Sequence, residues 1–295
     1  MSLHEVRVPV AYGELTGLRA ARPGAPRVIA LHGWLDNAAS FLPLAAALPS
    51  LDLLLLDLPG HGRSAHLPAG TEYAATTAIH AVLDVADALG WERFSLLGHS
   101  MGAGIAALVA AAAPTRVDRL ALIETLGPLA EAPAEAPARL RQAVNAARAL
   151  GGKSLRVFAD AATPIRARMQ ANQLSEASAR LLVERGTLAQ GDGLVWSSDP
   201  RHTLASAQRM DEARVRALLA AIACPVHVLY AEPAQSYFPD PLRHERFAVL
   251  RDGRLSLMPG IHHLHMEQPA EVAGVLGPFL SAAGHQAERA VPAMP

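Results

Sequence analysis

The chain has 295 residues, 51% of them hydrophobic, enough for a sizeable core in one large α/β domain or two small ones. Its formal charge of -1 removes any electrostatic reason to expect a nucleic-acid or anionic-membrane partner. The single cysteine, Cys224, excludes an internal disulfide, is compatible with a reducing compartment and reads as a buried structural thiol.

The N-terminus MSLHEVRVPV lacks a basic segment followed by a long apolar one, and no uninterrupted apolar run of about 18 residues occurs elsewhere. A cytoplasmic protein without a membrane partner is expected. The polar alternation of HEVRVPVAYGELTGLRA predicts an antiparallel hairpin at a sheet edge, beginning with a strand over Glu5–Val10. Further strands are predicted at Val28–His32, Leu53–Asp57, Phe94–Leu97, Leu120–Glu124, Val226–Ala231 and Arg254–Met258. Several are apolar throughout, which suits central parallel strands covered on both faces. Alanine- and leucine-rich stretches of helical length separate them. The pattern predicts an α/β fold with a mostly parallel twisted sheet and helices on both faces.

From Thr125 to about Ala205 the pattern is helical, charged and arginine-rich, as in LRQAVNAARALGG, IRARMQAN and SEASARLLVERG, with no strand candidate. This predicts a helical cap inserted after strand six, which would roof the crevice where open α/β sheets bind ligands. The expected division is 1–126 for the first part of the core, 127–205 for the cap, 206–285 for the second part of the core and 286–295 for a frayed tail.

Within LLGHSMGAG, Gly98-His99-Ser100-Met101-Gly102 reads G-x-S-x-G between an apolar strand and a helix predicted over Met101–Ala113. A serine on a strained strand-to-helix turn needs small neighbours on both sides, and helix N-terminal amides then face developing negative charge. Ser100 is therefore the candidate nucleophile; the ordinary alternative is a helix N-cap. The loop in ALHGWLDN, Ala30 to Asn37, follows an early strand and is placed to supply one of two backbone donors to an oxyanion. The backbone N–H groups of Trp34 and Met101 are the candidates. In LDLPGHGRS, His61 is assigned a structural or pocket-wall role. A base must be a histidine in reach of Ser100, and PGIHHLHMEQP offers His262, His263 and His265 after the last strand. H-H-x-H lacks the separated spacing of a zinc hydrolase, so no metal is expected. Neither a dinucleotide glycine fingerprint nor a phosphate loop is present, so no cofactor is implied.

HGWLDNAASF, LDLPGHGRS, GHSMG, LLVERGT with GLVWSSDPR, and HHLHMEQP together resemble the α/β-hydrolase superfamily over nearly the whole chain, in particular its serine-hydrolase-like proteins. The resemblance implies that His262 is the base, with His263 and His265 as supports. It also exposes a departure. Members often carry an aspartate after the seventh strand, where LYAEPAQSYF has Ala234. Some branches, certain haloalkane dehalogenases among them, place the acid after strand six, which points to Glu124 in LALIETLGP. Glu232, Asp240 or a dyad without acid are the alternatives.

An aspartyl-ester route is excluded by the serine at the elbow. What remains is acyl transfer to water from a small-molecule carboxylic ester, thioester or lactone. Carbon–carbon bond hydrolysis, perhydrolysis and a degenerate binding module without turnover are alternatives. His99, Phe158 and Trp196 are the candidate substrate contacts. With Leu155, Val157, Met169 and Leu174, the two aromatic residues otherwise hold the cap together. Arg166 and Arg168 could meet a carboxylate. Nothing in the sequence speaks to oligomeric state.

Overall fold

The computed structural model describes residues 3–150 and 156–282. The strands are β1 (His4–Val10), β2 (Gly13–Ala20), β3 (Arg27–Leu31), β4 (Asp52–Leu56), β5 (Phe94–His99), β6 (Val117–Ile123), β7 (Thr187–Gln190), β8 (Gly193–Trp196), β9 (Val226–Glu232) and β10 (Gly253–Pro259). All but β7 and β8 form one sheet in the order β1-β2-β4-β3-β5-β6-β9-β10. Only β2 runs against its neighbours; every other pairing is parallel. The expected hairpin is thus β1–β2 at the sheet edge, in register from His4 opposite Arg19 to Val10 opposite Gly13.

Helices α1 (Leu42–Ala46), α2 (Ala75–Ala88) and α3 (Met101–Ala112) follow β3, β4 and β5 in turn. Between β6 and β9 come α4 (Ala136–Leu150), α5 (Ala162–Asn172), α6 (Glu176–Gly186), the β7–β8 hairpin and α7 (Glu212–Ala220). The last helices are α8 (Asp240–Phe247), α9 (Leu264–Glu267) and α10 (Pro269–Ser281).

Continuous apolar strands make sense because each alternates between two cores. Ile29, Leu31, Leu54, Leu56, Leu96, Leu122, Val228 and Tyr230 pack on one face with α2, α3 and α7. Val28, Ala30, Leu53, Leu55, Leu97, Ile123 and Leu229 pack on the other with α1 and α10. Each fully buried Leu, Ile or Val contributes about 1.5–3 kcal/mol, which pins the register, since a slip of one residue would exchange the two cores.

The inserted segment differs from expectation in one element. The sequence gives no strand between Thr125 and Ala205, yet β7 and β8 pair there around Gly191-Asp192. Gly191 has φ +57°, the backbone that a two-residue hairpin turn requires, and this Gly-Asp pair was the available signal. Phe158 adds a bridge to Leu194, approaching so closely that a Cβ on Gly193 would lie 2.5 Å from the Phe158 carbonyl. Ile165, Leu174, Leu182 and Val183 form a separate small core with Met266, packed by Met169 and Trp196. Leu155 and the tail 286–295 lie outside the described residues.

One buried ion pair ties this segment to the sheet. Arg185 of α6 donates Nε–H to Asp57 Oδ2 at 2.9 Å, and Asp57 also accepts from Thr16 Oγ1, Ala38 N and Arg63 N. Asn37 Nδ2 adds a hydrogen bond to the Leu182 carbonyl. Removing one partner of a buried pair leaves the other charge uncompensated. Arg185→Met should therefore lower the free energy of urea unfolding by about 3 kcal/mol; an unchanged value would show that the neutral donors around Asp57 suffice.

Candidate active site

Strand β5 ends at His99 and α3 starts at Met101, so Ser100 alone makes the turn, with φ +52° and ψ -118°. Its own N–H still continues the sheet to Ile123 O at 2.9 Å, and its carbonyl receives Ala103 N–H and Gly104 N–H. The turn is held from both sides, which is how a strained backbone persists. The flanking glycines are required by contact. A Cβ on Gly98 would lie 2.4 Å from Ala103 Cα, and one on Gly102 would lie 2.0 Å from the Leu31 carbonyl oxygen.

His262 stands in the turn between β10 and α9. Its Nε2 is 2.9 Å from Ser100 Oγ, and its Nδ1 is 3.0 Å from Glu124 Oε2. With Nδ1 protonated toward the carboxylate, Nε2 is left as the acceptor for the serine hydroxyl. Glu124 follows β6 with φ +69°, its N–H bonded to Leu229 O at 2.9 Å. The Glu124 side chain has no solvent exposure. Its Oε1 accepts from Ala231 N–H and lies 3.7 Å from Nη2 of buried Arg243, which also donates Nη1–H to Ala231 O.

Among the described residues, the N–H groups of Trp34 and Met101 have no acceptor. Glu232 is exposed, and Asp240, in the first turn of α8, pairs with Arg243 at 3.5 Å; among the described residues the His262 ring has its hydrogen bonds with Ser100, Glu124 and Tyr237. His61 is buried, with Nδ1 at 3.1 Å from Pro59 O and its ring against His32 and His202. Arg168 meets a carboxylate, but one of the chain's own, Asp36.

The expected substrate contacts are differently placed. His99 is fully buried, with Nε2 at 2.9 Å from the His262 carbonyl oxygen and its ring against those of His262, His263 and His265. It lies beneath His262, away from solvent. Phe158 is buried edge-on against Trp196, which packs on the small core of the inserted segment, so both are occupied in holding that segment together. The sequence reading missed Arg243 and the half-exposed Tyr237, whose hydroxyl stands 3.5 Å from His262 Nδ1. It also missed Asp36, which accepts from His263 Nε2 at 3.2 Å.

Residues 26–275 match the family described as alpha/beta hydrolase fold. The chain belongs to that family. A serine hydrolase-like protein of Danio rerio is 29% identical, over 94% of this chain and 88% of its own. A crystal structure of a hypothetical protein from Pseudomonas aeruginosa PAO1 is 39% identical with a TM-score of 0.88, over 94% of this chain and 99% of that one. The thioesterase domain from the curacin biosynthetic pathway is 25% identical with a TM-score of 0.81, over 94% and 99% of the two chains. These likenesses support a hydrolase. No described helix of this α/β-hydrolase is long and apolar enough to cross a membrane.

The hydrolase buries an unusual set of imidazoles. Burial holds His32 below the ordinary histidine range, and His61, His99 and His265 well below it. For the last three, neighbouring histidines add to the effect. Burial also pushes His202 down to about 4. Each folded value lies under the unfolded one of about 6.5, so the unfolded chain binds more protons as pH falls below it. Their contribution is complete above about pH 6.5 and declines as pH falls toward the folded values. The urea midpoint should therefore drop steadily from pH 7 to pH 5; a midpoint that stays flat or rises would contradict these neutral burials.

Proposed function

We propose that the chain is a serine hydrolase that cleaves a small-molecule carboxylic ester, thioester or lactone through an acyl-enzyme on Ser100, with His262 as base and Glu124 as acid. The observation that carries this reading is the unbroken line of contacts from Ser100 Oγ through His262 to the buried Glu124 carboxylate. A thioesterase domain among the solved relatives supports including thioesters.

In the proposed reaction His262 Nε2 takes the Ser100 proton as Oγ attacks the acyl carbon. Glu124 accepts the Nδ1–H bond and stabilises the imidazolium without taking the proton. The N–H groups of Trp34 and Met101 are the proposed oxyanion donors, Met101 at the positive end of α3. The imidazolium then protonates the leaving group, and a water activated by the same histidine releases the acid and restores the serine. Residues 127–205 are the proposed cap, and His99 is a proposed positioning residue that holds the backbone of the base. No cofactor or metal enters this chemistry.

Glu124→Gln leaves the imidazole a neutral partner and the wrong tautomer. With folding verified by circular dichroism, kcat on a short-chain aryl ester should fall about 10²- to 10⁴-fold. Glu232→Gln and Asp240→Asn should stay close to the parent, as should chelator-treated protein. A near-parental Glu124→Gln beside an inactive Glu232→Gln would move the acid to the loop after β9.

A further inference from the structure

We propose that Asp36, His99 and His263 form a binding site for a divalent transition-metal ion of the zinc class, buried beneath the Ser100–His262–Glu124 line and separate from it. The three residues come from the loop after β3, the end of β5 and the loop after β10, and each is almost wholly enclosed.

Proton placement supplies the first argument. The His262 carbonyl oxygen can only accept, so His99 Nε2, 2.9 Å away, must carry a hydrogen. In the tautomer with its hydrogen on Nε2, the ring leaves Nδ1 as a lone pair. Among the described residues that Nδ1 has no hydrogen-bond partner. What faces it, at 4.0 Å, is Asp36 Oδ2. The Asp36 carboxylate is met by Arg168 at Oδ1 and by His263 at Oδ2. The unpartnered His99 Nδ1 lone pair thus faces a carboxylate oxygen rather than a donor, an arrangement that a cation resolves.

Geometry supplies the second. His263 Nε2 is 3.2 Å from the same Asp36 Oδ2, and all three ligand atoms lie within 4.8 Å of one another. Atoms this close need only a modest inward shift to reach the 2.0–2.2 Å that zinc takes with imidazole and carboxylate. Arg168 Nη1, 3.3 Å from Oδ1, occupies the other carboxylate oxygen and leaves Oδ2 for the ion. Position 33 keeps the space clear, since a Cβ on Gly33 would stand 3.0 Å from both Asp36 Oδ2 and His99 Nδ1.

The spacing of His262, His263 and His265 pointed away from a metal because two of these ligands come from elsewhere in the chain.

The test uses the full chain, stripped with a chelator and titrated with Co²⁺ and Zn²⁺. One saturable equivalent is expected, with the thermal midpoint rising as metal is added. X-ray absorption of the cobalt form should show two imidazoles and a carboxylate oxygen at about 2.0–2.2 Å. Asp36→Asn and His263→Gln should lose saturable binding, while His262→Ala, which keeps all three ligands, retains it. Absence of saturable binding overturns the site. So does binding lost in His262→Ala, which would put the ion on the base, or binding that persists in His263→Gln, which would put it on surface histidines. If the ligand variants fail to fold, the absorption spectrum of the parent decides alone, and a shell without imidazole contradicts the proposal.

Discussion

A carboxylate withdrawn entirely from water is tolerable only if its charge and lone pairs are met, and Glu124 has both oxygens engaged. His262 takes one, and Ala231 N–H takes the other, beside the Arg243 guanidinium. Satisfying that one charge ties together the end of β6, the end of β9, helix α8 and the turn after β10. His262 stands in reach of Ser100 because these four segments converge on one residue. Arg243 is itself spread over the Tyr230 ring and bonded to Ala231 O, so the cation is fixed before it meets the carboxylate.

The sheet makes that convergence possible. In a parallel sheet the C-terminal ends of β3, β5, β6, β9 and β10 lie along one edge, where the crevice of an open α/β fold opens. Residues far apart in sequence meet there without any long loop. The strain at Ser100 is confined to one residue, because Gly98 and Gly102 let α3 approach the strands at backbone contact. Beneath this edge the four imidazoles of His99, His262, His263 and His265 pack ring against ring, so the Ser100 turn and the His262 turn form one unit.

What the sequence disclosed follows from the range of each signal. Apolar runs, the G-x-S-x-G turn and the edge hairpin are written in consecutive residues, and the strands appear where those residues place them. The choice of Glu124 came from the lack of an aspartate at Ala234 together with the family resemblance, and the carboxylate stands beside His262. Contacts between distant segments were not legible. Arg243 reads as an ordinary helix cation, and Asp36 as a loop acid, until the fold brings each to its partner. His99 sits inside the motif, but nothing local says that its ring turns down onto the backbone of the base. The β7–β8 hairpin was hidden because its strands are short and lie within arginine-rich helical sequence.

The central claim is that this packing exists to make Ser100 Oγ a nucleophile. The direct measurement is intact-protein and peptide mass spectrometry after exposure to a fluorophosphonate. One adduct on the Ser100 peptide, absent from folded Ser100→Ala protein, is the result this account predicts. Equal labelling of the two proteins, or no labelling of the parent, would contradict it.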